Sequence, residues 1–254
     1  MKLNHDRTAW LKGGAALCHT PPRCVETAFR LILLGAPGVG KGTQAELLSD
    51  RLGACHLSTG DVFRAAKCAP TSAQSPAMQS AFDAMRCGDL VGDEIVLAVV
   101  RERARCLRCS GGFLLDGFPR TVVQAAALEN LLNWERIPLT GVVNYELPID
   151  VIVARLSGRR TCAKCKSVFH LVNHPPQNDG VCDHCAGPLI QREDDRPEAV
   201  RVRMAAFQKS VQPLVDFYQQ RGLLLSVPAE GSPEAIFERT LAALHLPTSA
   251  QAVA

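Results

Sequence analysis

The chain is poor in aromatic residues: Phe, Tyr and Trp together make up 5% of its 254 residues. Without them there is no stacking platform for single-stranded nucleic acid. The core must then be built from aliphatic side chains, as suits a parallel sheet covered by helices. Charge of one sign is also lacking. A formal net charge of +3 is too small for general binding to a phosphate backbone, so no nucleic-acid partner is expected. No apolar run approaches the roughly 20 residues that span a bilayer, and Met1 to Arg7 contain no apolar leader segment; no membrane partner is expected either. Internal repeats and low-complexity tracts are missing, which excludes solenoid architectures.

Cysteine, by contrast, is abundant. Eleven cysteines, an odd number, in a chain of this size point to a reduced, cytoplasmic protein with part of its thiols on a metal rather than to a disulfide scaffold. Apolar runs at 30–34, 112–115, 141–147 and 223–227, with a weaker one at 54–58, read as strands. Helical patterns at 44–52, 93–105, 122–133, 149–157 and 197–221 separate them. This alternation predicts an α/β fold with a mostly parallel sheet, and ligands at the carboxyl ends of its strands.

Between the first strand and the first helix lies Gly35-Ala36-Pro37-Gly38-Val39-Gly40-Lys41-Gly42-Thr43. Strand, glycine-rich loop, lysine and helix is the order of a phosphate-binding loop. Backbone N–H groups and the positive end of the helix face the anion, and Lys41 adds a full charge. The usual pattern places Ser or Thr directly after the lysine, as a Mg²⁺ ligand; here Gly42 stands there. Asp116, at the end of another apolar run in Leu115-Asp116-Gly117-Phe118-Pro119-Arg120-Thr121, is placed like the acid that holds a Mg²⁺-bound water beside such a loop.

Residues 158–195 are rich in Cys, Pro and Gly and carry no long periodic pattern. They contain Cys162-Ala163-Lys164-Cys165 and Cys182-Asp183-His184-Cys185, a spacing that fits a Cys₄ zinc ribbon. Four protein ligands leave no open position, so this zinc is expected to be structural; His184 lies inside a knuckle and is expected to be exposed. A third pair, Cys106 and Cys109, has no partner pair and reads as incidental. Arginines gather beside these segments: Arg64, Arg120, Arg155, Arg159, Arg160, Arg192, Arg201 and Arg203. Bringing two nucleotides together assembles several negative charges, each pair worth about 4 kcal/mol at 4 Å in an effective dielectric near 20. Arginine's planar fork suits that task.

With these motifs in view, and with Ser58-Thr59-Gly60-Asp61, Gly158-Arg159-Arg160 and Arg192-Glu193-Asp194-Asp195, the chain over residues 29–244 resembles the adenylate kinases, in the long form with a zinc-binding lid. Gly42 is part of that family's own pattern. The resemblance implies a phosphate-loop α/β core at 29–57, 92–157 and 196–245, a monophosphate-binding insertion at 58–91 and a zinc lid at 158–195; residues 1–28, which match no part of the family, read from their composition as a poorly ordered extension, and 246–254 as a tail. It implies Mg²⁺-dependent transfer between ATP and AMP, giving two ADP, by a protein expected to act as a monomer.

It further implies that Gly38, Val39, Gly40, Lys41, Gly42, Thr43, Arg155, Arg159, Val168, Phe169 and, through a looser match, Ser232 contact ATP. Thr59, Arg64, Asp89, Leu90, Val91, Gly117, Phe118, Pro119, Arg120, Gln124, Arg192 and Arg203 would contact AMP. Lys41, Asp116, Arg120, Arg159, Arg192 and Arg203 would serve the transfer, and Cys162, Cys165, Cys182 and Cys185 would hold the zinc. A UMP/CMP-type kinase of the same fold is the alternative. A zinc-ribbon nucleic-acid binder is a remote third.

Overall fold

The computed structural model describes residues 27–60, 75–86, 91–102, 107–108, 110–172 and 174–248. Five strands form one parallel sheet: β1 (Phe29–Gly35), β2 (Cys55–Ser58), β3 (Gly112–Asp116), β4 (Gly141–Glu146) and β8 (Leu224–Pro228), in the order β2-β3-β1-β4-β8. The expected runs match these strands to within two residues. Leu31, Ile32 and Leu33 on β1 and Phe113, Leu114 and Leu115 on β3 are at most 1% exposed, because helices cover both faces and every inward position must be apolar.

On one face, α3 (Asp93–Glu102), α4 (Val122–Trp134) and α6 (Pro197–Gln219) pack over Ile32, Leu115 and Val142, together with α2 (Pro76–Arg86). On the other, α1 (Lys41–Leu52) and α7 (Pro233–Ala243) pack over Leu31, Leu33, Leu114 and Val143. One feature departs from the sequence reading. Helix α7 was not anticipated, although Ser232 caps it by accepting from Ala235 N (3.2 Å) and Pro233 fills its first turn. As the pattern over 197–221 predicts, helix α6 runs on through Pro213, where a lost N–H bond is outweighed by burial of Leu214 and Tyr218 against the main core.

After α5 (Ile149–Gly158), the cysteine-rich segment folds as a second, antiparallel sheet of three short strands, β5 (Arg159–Cys162), β6 (Val168–His170) and β7 (Leu189–Ile190), in the order β6-β5-β7. Its apolar centre consists of Cys162, Phe169 and Cys182, with Leu189 packed against them.

Candidate active site

The sheet order brings three strand ends together. Ser58 of β2 pairs with Asp116 of β3, and Asp116 pairs in turn with Leu33 of β1. Beyond β1 the chain turns through residues 35–40. A side chain at Gly35 (φ 134°) would come within 2.7 Å of the Tyr145 carbonyl, so the loop can pass β4 this closely only without one. Val39 is buried, while Gly42 and Thr43 are exposed at the start of α1. That helix opens on Gly40, which offers no side-chain cap; its N-terminal N–H groups are therefore the anion-binding kind. Lys41 Nζ folds back and donates to the carbonyls of Gly35 (2.7 Å) and Ala36 (3.0 Å).

Asp116 stands opposite. A Cβ on Gly42 would lie 4.0 Å from Asp116 Oδ2, so the position where other loops carry a hydroxyl faces this carboxylate. Burial pushes the Asp116 carboxyl up, but contact with His56 and the positive fields of Lys41 and Arg120 outweigh it and hold the group below the usual carboxylate range. His56 Nε2, on a side chain 3% exposed, is 3.6 Å from Asp116 Oδ2. The sequence reading did not single out His56; a lone histidine in a strand carries no periodic or spacing signal.

Next to the acid, Thr59 Oγ1 donates to the Gly117 carbonyl (2.9 Å). Gly117 has φ 80°, and a Cβ there would sit 2.9 Å from that hydroxyl. Phe118 packs into the main core and Pro119, joined to it by a cis peptide bond, is buried as well. Arg120 is exposed; its Nε donates to Gly117 O (2.8 Å) and its backbone N to Gln124 Oε1 (2.8 Å). Thr59, Asp116, Gly117, Arg120 and Gln124 thus form one cluster. Val91 is half-buried against the main core. Arg64, Asp89 and Leu90 lie outside the described residues, as do Cys106 and Cys109; Arg203 falls on α6, with its side chain outside what is described.

Arg155 on α5 joins two turns. Its guanidinium donates to Val39 O (3.2 Å) and Ala229 O (3.1 Å), tying the glycine loop to the turn before Ser232. Arg159 is paired with Asp195, through Nε to Oδ2 at 2.7 Å and a second bond from the other prong. Arg192 Nε donates to Thr161 Oγ1 (2.8 Å). Val168 is exposed on β6, whereas Phe169 is buried beside His174, its ring stacked at 5.4 Å.

The four cysteine sulfurs lie within 4.8 Å of one another, with Cys162–Cys185 at 3.4 Å and Cys165–Cys182 at 3.5 Å. A tetrahedral zinc with bonds of about 2.3 Å requires sulfurs about 3.8 Å apart, so the residues fit the ion. The two knuckles repeat each other. Cys162 N donates to Ser167 O and Cys182 N to Gly187 O; Lys166 N returns to Cys162 O and Ala186 N to Cys182 O. Lys166 and Ala186 both take positive φ. His184 is exposed.

A parallel sheet with a glycine loop after its central strand, a lysine on that loop and an ionised acid at the neighbouring strand end defines a phosphate-loop nucleotide-binding protein. A family model described as adenylate kinase matches residues 33–223. An adenylate kinase of Thermodesulfovibrio yellowstonii is 43% identical over 217 residues, covering 85% of this chain and 99% of that protein. One of Caldicellulosiruptor bescii is 47% identical over 197 residues, 78% of this chain and 90% of that protein. One of Acidothermus cellulolyticus is 46% identical over 217 residues, with coverages of 85% and 98%. The chain belongs to the adenylate kinase family.

Proposed function

We propose that this chain catalyses reversible phosphoryl transfer from ATP to AMP, giving two ADP. The observation that carries the reading is the meeting of Lys41, Asp116 and the Thr59–Gly117–Arg120 cluster at adjacent strand ends, within a chain whose relatives are adenylate kinases over nearly their whole length.

The loop N–H groups of 38–43 bind the ATP phosphates, and Lys41 exchanges its carbonyl partners for phosphate oxygens. Val39 contributes backbone, since its side chain is core. Arg155 shapes the ATP base site together with the turn at Ser232; Val168 and the backbone of Phe169 close over it. AMP sits at Thr59, Arg64, 89–91, the backbone of 117–119, Arg120 and Gln124. An oxygen of its phosphate attacks in line, so no side chain acts as nucleophile, and the protein's part is positioning and charge neutralisation. Arg120, Arg159, Arg192 and Arg203 supply cations; Arg159 and Arg192 leave Asp195 and Thr161 to do so. Asp116 would orient the water shell of a Mg²⁺ ion brought with ATP, whose charge would offset that of the phosphates.

Residues 158–195 form the lid, which excludes water as a competing nucleophile. Cys162, Cys165, Cys182 and Cys185 hold a structural zinc there. Residues 58–91 are the AMP insertion and the remainder from 29 to 245 is the core. The protein acts as a cytoplasmic monomer without nucleic-acid partners. Side-by-side phosphorylation of AMP, CMP, UMP and GMP tests the reading: AMP is expected to be preferred, and preference for UMP or CMP would overturn it.

A further inference from the structure

Gln124, which we assign to the AMP base, is 4% exposed, and its carboxamide is held from both sides. Oε1 accepts from the backbone N–H of Arg120 at 2.8 Å, and Nε2 donates to Asp93 Oδ1 at 2.7 Å. A backbone N–H can only donate and a carboxylate can only accept, so these two partners permit one orientation of the amide. The other oxygen of Asp93 accepts from Thr121 Oγ1 (2.9 Å), and that same Thr121 oxygen accepts from Gln124 N (3.2 Å) as the cap of α4. Asp93 stands in the first turn of α3, yet Ile95 N and Val96 N bond to Gly92 O, and both Asp93 oxygens reach across to the start of α4.

This arrangement leaves Gln124 with one lone pair on Oε1 and one proton on Nε2. That pair matches the edge of adenine, where the 6-amino group donates and N1 accepts. Hypoxanthine presents the reverse, an accepting O6 and a donating N1–H. We infer that Asp93 is a specificity-determining positioning residue, which holds the Gln124 carboxamide in the orientation that accepts a 6-aminopurine and rejects a 6-oxopurine. The inference rests on the assignment of Gln124 to the AMP base. It also gives the junction between the insertion and α3 a part in base selection, although Asp93 itself touches no nucleotide. Discrimination follows because the wrong base leaves buried polar groups facing like groups.

The test is kcat/KM for AMP and for IMP at saturating ATP, on the full chain and its Asp93→Ala, Asp93→Asn and Gln124→Ala variants. Asp93→Ala removes one of the two restraints on the amide, leaving only the Arg120 N–H, and is expected to lower the AMP:IMP preference about tenfold, through KM for the monophosphate, with KM for ATP unchanged. Asp93→Asn keeps the shape but can donate as well as accept. It is expected to lose a smaller share in the same direction and serves if the alanine variant does not fold. If both Asp93 variants keep the wild-type ratio while Gln124→Ala loses it, Asp93 has no such role and the AMP site stands. If Gln124→Ala also keeps the ratio, the assignment of Gln124 falls and the inference with it. A drop in melting temperature or a rise in KM for ATP at constant AMP:IMP ratio would mark Asp93 as merely structural and overturn the inference.

Discussion

The ammonium of Lys41 lies 2.7 Å from the carbonyl oxygen of Gly35, at the opposite end of its own loop. The lysine thus closes the ring that a phosphate would fill, and its charge is already inside the site before any ligand arrives. Lys41→Ala is predicted to cut turnover about a hundredfold or more, with little change in melting temperature, because a half-buried lysine bonded to two loop carbonyls holds no part of the core. Near-normal turnover in this variant would falsify the role.

The second prediction concerns Asp116 and acid. Its folded-state pKa is depressed, so the stability it contributes is fully present above the usual carboxylate range and is lost as pH falls through the lower folded value. Asp116→Asn is therefore expected to be less stable than the parent at pH 7, with the gap constant down to about pH 5 and shrinking below about pH 4. Urea unfolding across that range checks it; a gap that widens in acid would contradict the assignment. Turnover of this variant should fall at every pH.

Gly117→Ala places a methyl group 2.9 Å from Thr59 Oγ1 on a backbone with φ 80°. The conformational cost is about 1 kcal/mol, and the hydroxyl must move. We predict a several-fold rise in KM for AMP with KM for ATP nearly unchanged. A rise in both would mean that the substitution disturbs the phosphate loop instead.

Cys162→Ser removes a buried sulfur from the four-thiol cluster. Zinc content and melting temperature are expected to fall more than turnover measured at low temperature, because a four-ligand site has no position for substrate. Metal analysis beside calorimetry decides it: turnover that collapses with an unchanged melting point would give the metal a part in the chemistry.

The main sheet was legible because its strands are buried on both faces and appear as unbroken apolar runs, as in Leu31 to Leu34. The glycine loop and the paired CxxC knuckles were legible because their chemistry demands residue types at fixed spacing. The lid strands were not. Arg159 to Cys162 shows no alternation of apolar and polar side chains, and only pairing with residues 168–170 and 189–190 makes it a strand. His56 and Asp93 also escaped, since each acts through a partner distant in sequence: Asp116 for the first, Thr121 and Gln124 for the second. Helix α7 carried a readable start in Ser232-Pro233-Glu234, but its apolar stripe of Ile236, Phe237 and Leu241 is thin.

Two of the three residues at the centre of the lid are the inner cysteines Cys162 and Cys182. On the proposed reading, metal site and hydrophobic centre of this three-stranded sheet would be one object. Loss of that metal, or oxidation of these sulfurs, would then take away the interior of this sheet along with its staple, while the five-stranded sheet would keep its own. Under that proposal, the temperature and metal supply at which the protein works would be set by its smallest layer rather than its largest.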